Sequence, residues 1–353
     1  LHAGVGKREI TWTDPSRRVL DPLYAKALVL DDGTTRLALI TMDVVAIGGI
    51  CDVTDAFLPA LRERLRSTPG IPPECVIVNA SHTHPPDRIL CDEEVLIGRV
   101  VEAVCEAADT MEPVRAGAGR AREERISMNR NVELKDGRLW TIRHSNPSPP
   151  DEAVRSVRPV DPDVGILRLD RLDGTPLAVV YHFACHLLFG NVPGDITANF
   201  VGISSRLIEE VSGPGVTAFY LQGCAGDVID TGFKDFQRWR DLEGYGQRLA
   251  LAVLKELPRI ETRPGALAMR MDRVNLPRRS DFACRTAALE AEQKELLRSL
   301  RFTTLGFDSF LPLYLQQRLK PDYPSAEASL YLHAEQTGKP LLTEMDAMKR
   351  RLV

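Results

Sequence analysis

The run at 75–80, Cys-Val-Ile-Val-Asn-Ala, constrains the fold most. It has strand length and is mostly apolar, the pattern of a strand covered on both faces. Helical periodicity flanks it. Phe57, Leu58, Leu61 and Leu65 repeat at helical spacing within a segment over 53–65, and Pro69, Gly70, Pro72 and Pro73 stop it. A second helical stretch covers 93–111. Upstream, 27–30 and 37–42 read as strands joined at Asp31-Asp32-Gly33. Strand and helix alternating in this way predict an α/β fold.

The middle of the chain is richer in strands. Asp136-Gly137 and Asp173-Gly174 are hairpin signals, the second lying between strands over 164–169 and 177–183. Residues 146–162, dense in Pro, Ser and charge, read as a surface loop. A helix over 202–211, a buried strand over 217–221 and a helix over 236–257 follow. Beyond Gly265 the pattern predicts a strand at 266–276 and a charged amphipathic helix at 282–300. An irregular apolar stretch at 303–322 and two more helical stretches finish the chain. The expected architecture is a mixed β-sheet core flanked by helices, with a mainly helical C-terminal segment. Residues 1–262 form the core, and 263–353 continue the same domain.

Composition excludes several classes of function. Lys and Arg number 45 against 49 Asp and Glu, a formal net charge of −4, which gives no basic footprint for nucleic acid. No apolar run is long enough for a transmembrane helix. A hydrophobic content of 44% supports a large core and argues against disorder. The seven cysteines are scattered without a Cys-x-x-Cys pair, so no zinc ribbon or redox motif is indicated. Free and mostly buried thiols lean toward a reducing, cytoplasmic compartment, as does the lack of a visible signal peptide.

Three polar clusters follow buried strands, where α/β sheets place their ligands. His82-Thr83-His84 comes first. In extended backbone, residues two apart face one side, so both imidazoles can point into one pocket. His182-Phe-Ala-Cys-His186 is second, and Gln222-Gly-Cys-Ala-Gly-Asp227 third. Four of the seven histidines thus sit in two tight groups at strand ends, a pattern for holding a metal ion. His182 lies within the strand pattern and reads as a packed residue. Asp227 reads equally as a cap on the next element. Other motifs fail. Gly4-Val-Gly6-Lys7 lacks P-loop spacing, Gly202-Ile-Ser-Ser-Arg206 is no nucleophile elbow, and no His-Glu-x-x-His occurs.

Taken together, these residues resemble the neutral/alkaline, non-lysosomal ceramidases. Ala3-Gly4-Val5-Gly6 with Glu9-Ile10-Thr11 is similar to the opening of that family, and Ser81-His82-Thr83-His84 to its metal motif. Asn129-Arg130, Phe183-Ala-Cys-His186 and Gln222-x-x-x-Gly226-Asp227 follow in the same order, so the resemblance covers about 3–255. It implies a zinc amidohydrolase in which a zinc-bound water attacks an N-acyl sphingosine or other N-acyl amide. His82 and His186 would be ligands to Zn2+, His84 a catalytic imidazole beside the attacking water, and Arg130 a catalytic cation facing the amide or its oxyanion. Asp43, Asn129, Asn199, Gln222 and Asp227 are the candidates to line the pocket. A small-molecule or lipid amide is the partner implied, and members of the family are often secreted or membrane-associated.

The chain also departs from the family. Pro85-Pro86 replace small polar residues, and Asn199-Phe200-Val201-Gly202 stands where a carboxylate is usual, with Asp195 as a substitute. The Glu and Tyr zinc ligands of the family lie in later motifs, which are not found after Gly265. A fragment carrying half of the metal site is therefore expected, since two histidines alone make a poor zinc site. A hydrolase of another amide or ester, or a non-catalytic binding protein, would fit the same residues.

Overall fold

The structure is a computed structural model that describes residues 1–11, 17–49, 53–84, 92–141, 149, 151–188, 195–230, 242–277 and 280–299. Contacts divide the chain into two units, Leu1–Ile142 with Pro149–Arg270, and Arg143–Ser148 with Met271–Val353. In chain order the strands are β1 (His2–Glu9), β2 (Tyr24–Asp31), β3 (Arg36–Met42), β4 (Val76–Ala80), β5 (Glu112–Arg122), β6 (Ser127–Asn129), β7 (Asn131–Leu134), β8 (Leu139–Thr141), β9 (Val154–Val157), β10 (Asp163–Arg171), β11 (Pro176–Phe183), β12 (Thr217–Gln222) and β13 (Val228–Asp230). The helices of the first unit are α1 (Phe57–Ser67), α2 (Glu93–Asp109), α3 (Asn199–Ser212) and α4 (Leu242–Glu256). Helix α5 (Phe282–Ser299) belongs to the second unit.

Eight strands form one mixed sheet in the order β12-β11-β10-β5-β1-β2-β3-β4. Strands β1 and β5 share only two register pairs, His2 with Pro113 and Ala3 with Glu112, so the sheet turns a corner there. Its halves then face one another. A single core cluster joins Ala27, Leu28 and Ile40 of one half to Leu169, Val180 and Phe219 of the other. Helix α2 packs on β1 and β2 and carries α1. Helices α3 and α4 pack together and contact β5, β10 and β12. The result is four layers, helix, sheet, sheet and helix, with both sheet halves covered. This accounts for the almost continuously buried interiors of β2 and β11.

Two features fix this packing. Glycines at 4 and 6 in β1 let α2 approach closely: a Cβ at Gly4 would lie 1.8 Å from the Ala107 carbonyl oxygen, and one at Gly6 2.0 Å from that of Ala103. The second is a buried ion pair at the free edge of β12. Lys26 Nζ lies 2.8 Å from Glu209 Oε1 and donates to the Ala218 carbonyl at 2.8 Å, while the Ala218 N–H donates to the same Glu209 oxygen at 3.1 Å. A polar edge buried between layers is thereby satisfied.

The mixed α/β architecture is the one the sequence predicts, with local corrections. Strand β1 escaped the reading because its glycines weaken strand propensity. They are needed for the close approach of α2. Strand β4 is an edge strand with Ile77 38% exposed, so it is not covered on both faces. The loop expected at 146–162 contains β9. No strand forms at 266–276. Met271, Val274 and Leu276 are exposed there, and the pairing upstream is a bridge of Arg263 to Ala116 of β5. Helix α5 exists, but its side chains described, Phe282 to Glu295, are all exposed, so its apolar residues line no buried face within the described residues. The expectations for 303–322 and the final helical stretches fall outside the described residues. So do Pro85-Pro86.

Candidate metal centre

Two strand-helix-strand units supply the site. Strands β3 and β4 are parallel and connected through α1, and β11 and β12 are parallel and connected through α3. Their carboxyl ends lie on the same side of the two facing half-sheets. His82 and His84 follow β4, and His186 follows β11. The turns are joined directly: Thr83 and Leu187 form a parallel β-bridge, the His84 N–H donates to the Leu187 carbonyl at 3.4 Å, and the Thr83 hydroxyl donates to the Thr197 carbonyl at 2.8 Å.

The three rings converge. Ring centroids of His82 and His186 are 4.4 Å apart, those of His82 and His84 4.8 Å, and those of His84 and His186 5.7 Å. One nitrogen from each ring lies within 4.8 Å of the other two. His82 Nε2 and His84 Nε2 are 3.4 Å apart. A hydrogen bond of that length is weak. Two nitrogens at about 2.0–2.1 Å from one tetrahedral ion would be separated by about 3.3–3.4 Å. His82, His84 and His186 can therefore hold a metal ion.

The tautomers suit that task. His82 Nδ1 lies 2.7 Å from the Val45 carbonyl oxygen, and His186 Nδ1 contacts the carbonyls of Ala225 and, at 3.1 Å, Val228. Carbonyls only accept, so both Nδ1 atoms carry the proton and each Nε2 keeps a lone pair. Carbonyl partners of this kind also orient metal-binding histidines. Burial pushes the His186 imidazole below its ordinary value, and the closeness of His82 and Arg130 acts in the same direction. The two carbonyls oppose this shift. His186 is consequently neutral at neutral pH. His82 reaches its position through a left-handed backbone with φ 67°, held by its N–H on the Val44 carbonyl at 3.0 Å.

The remaining candidates bond mainly to the backbone around them. The Arg130 N–H donates to the Asp227 carbonyl at 2.8 Å, and its guanidinium donates to the Gly226 carbonyl. Buried Asn129 donates to the Asp227 carboxylate at 3.0 Å and to the Pro159 carbonyl at 2.9 Å. Gln222 ends β12, and its N–H donates to Asn79 Oδ1 at 2.9 Å. Asn199 is buried at the start of α3 with φ 62°, and its side-chain oxygen accepts from the Phe200 N–H at 2.7 Å. It takes part in the helix start, and Asp195 sits beside Arg18 at 3.7 Å. Asp43 ends β3 and accepts from the Tyr24 N–H at 2.9 Å. Burial pushes its carboxyl up to about 6. The His182 ring rests against Gly223, where a Cβ would lie 2.6 Å from its Nε2.

Sequence reasoning missed three supports: the Val45 and Ala225 carbonyls and the side chain of Asn79. Backbone acceptors leave no residue-type signal. Asn79 did leave one, as the single polar residue in the apolar run that became β4.

No family model matches the chain, and no curated protein matches it. Among solved structures the chain is similar to a ceramidase complexed with C2, at 19% identity and a TM-score of 0.54, over 72% of this chain and 43% of that one. It is similar also to the neutral ceramidase from Pseudomonas aeruginosa, at 18% identity and a TM-score of 0.54, over 72% of this chain and 44% of that one. The chain spans less than half the length of these structures, and at such identity the likeness is one of fold.

Proposed function

We propose that this chain carries the metal centre of a zinc-dependent amidohydrolase acting on N-acyl amides of the ceramide type. The convergence of His82, His84 and His186 carries this reading, and the fold shared with ceramidase structures supports it. The donor set fits zinc: three imidazoles, those of His82 and His186 oriented by backbone carbonyls, and those of His82 and His84 spaced like neighbouring corners of a tetrahedron. When bound, such an ion supplies Lewis acidity and lowers the pKa of a coordinated water to about 7.

The protein's own residues do the remainder. His82 and His186 present Nε2 lone pairs from rings locked by backbone carbonyls, so little reorganisation accompanies binding. His84 supplies the third nitrogen. Arg130, tethered to Gly226, places a fixed positive charge near His186, where it can balance negative charge developing on an amide oxygen. With three histidines holding it, a zinc ion would keep a position open for water or substrate.

Metal analysis after purification in zinc tests the reading, together with hydrolysis assays on ceramides and on short acyl amides. One bound zinc is expected, lost in His82→Ala and in His186→Ala. Zinc content unchanged in both variants would end the proposal. Arg130→Ala should lower turnover about 100-fold or more while keeping the ion.

A further inference from the structure

The two histidine turns belong to opposite halves of the sheet: His82 follows β4, and His186 follows β11, the neighbour of β12. Strand β4 is its last strand on one side and β12 its last on the other, and no ladder of backbone hydrogen bonds connects them. One side chain does. Asn79 Oδ1 accepts from the Gln222 N–H at 2.9 Å, and Asn79 Nδ2 donates to the Gln222 carbonyl at 3.4 Å. The carboxamide thus meets both backbone groups of a single residue, as a neighbouring strand would.

Gln222 is held on its other side in the regular way, paired in parallel register with Phe183 of β11. Asn79 stands three positions before His82, and Phe183 three positions before His186. Gln222 is therefore a common reference point, touching each segment at the same offset, three residues before its histidine. It also begins the turn whose Ala225 carbonyl receives His186 Nδ1–H. One position beyond each histidine, Thr83 and Leu187 form their bridge. His82 and His186 are bracketed between two cross-connections, and the one nearer the core is a single amide side chain.

We propose that Asn79 is a positioning residue that sets the separation of His82 from His186 and thereby the affinity of the site for its ion. The inference rests on the proposed metal-binding role of these histidines. Without the clasp, β4 and β12 can part by the small distances that matter at a metal centre. Leucine has similar volume and shape but neither hydrogen bond, so Asn79→Leu isolates the effect. Loss of a group that orients metal ligands typically weakens binding by 10–100-fold.

The experiment uses the full chain and two readouts. Zinc affinity is measured by competition with a chromophoric chelator, and amide hydrogen exchange is measured without added metal. Asn79→Leu is expected to bind zinc at least tenfold more weakly and to exchange faster over 79–84 and 183–188. Lys26→Met serves as the control. It removes another contact to β12, four residues below Gln222, and should lower thermal stability while leaving zinc affinity unchanged. Unchanged affinity and exchange in Asn79→Leu would overturn the inference, as would an equal loss of affinity in Lys26→Met. If the unaltered protein binds no zinc, the metal-binding role fails. The exchange comparison still decides whether Asn79 clasps the two turns.

Discussion

Thr83 and Leu187 pair as a parallel β-bridge, although 104 positions separate them, and neither lies in a regular strand. The bridge lies one residue past a histidine on each side. Two turns that begin in opposite halves of the sheet, after β4 and β11, are thereby joined where their imidazoles meet. The site is accordingly a product of the corner between β1 and β5. Only after the sheet turns there do the carboxyl ends of two separate parallel strand pairs share a pocket.

Replacing Thr83 with valine tests how much this seam contributes. The Thr83 hydroxyl is buried and donates to the Thr197 carbonyl at 2.8 Å. Valine keeps the shape and the backbone bridge but leaves that buried carbonyl without this donor. A loss of about 1–3 kcal/mol in unfolding free energy is expected from urea denaturation, with an unchanged slope. A variant as stable as the parent would show that the bridge backbone alone holds the turns.

His84 separates two roles that the same fold allows. An imidazole that only handles a proton beside the ion can be removed without emptying the site. One that supplies a third nitrogen cannot. The 3.4 Å separation from His82 Nε2 favours the latter. His84→Ala should therefore weaken zinc binding by two orders of magnitude or more, read by chelator competition, with loss of turnover following from loss of metal. Full retention of zinc with impaired turnover would return His84 to the proton-handling role.

Much of the site was legible because its chemistry is carried by residue types. Histidines grouped after apolar runs can be read from spacing alone, but their convergence needs the corner between β1 and β5, which residue types do not announce. What escaped was carried by shape and backbone. The left-handed conformation of His82 and the carbonyls of Val45 and Ala225 are invisible to residue identity. Strand β1 was hidden for a related reason, since its glycines oppose strand formation locally and are justified only by the helix above them. The absent strand at 266–276 shows the reverse. Alternation alone, with Met271, Val274 and Leu276 left exposed, does not form a strand.

The glycines of β1 yield a sharp expectation. A methyl group at position 6 would sit 2.0 Å from the Ala103 carbonyl oxygen, within the backbone of α2 rather than against a movable side chain. Relief requires shifting a whole helix that covers β1 and β2. Gly6→Ala should cost about 3 kcal/mol or fail to fold, beyond the usual range for an added methylene in a core. Gly33→Ala offers a comparison, since nothing lies within 4 Å of its added Cβ and only its φ of 87° opposes the change. Its cost should be about 1 kcal/mol. Equal melting temperatures for the two variants would contradict the close packing of α2.

Asp43 couples stability to pH near the histidine turns. Its carboxyl is pushed from 3.8 up to about 6, chiefly by burial, against the pull of Lys26, the Tyr24 N–H and the Ser81 hydroxyl. Between about pH 4 and pH 6 the folded protein keeps this proton while the unfolded chain releases it. The stabilisation is therefore complete below pH 4 and is lost as pH rises through 6. Asparagine has no such proton, and its side-chain oxygen can still accept from the Tyr24 N–H. Asp43 is partly covered rather than sealed from water, so the effect is trimmed to about 1–2 kcal/mol. Relative to the parent, Asp43→Asn should gain that much unfolding free energy on going from pH 4 to pH 7, measured by denaturant titration at each pH. A difference that stays constant between the two would show that the carboxyl titrates normally in the folded protein.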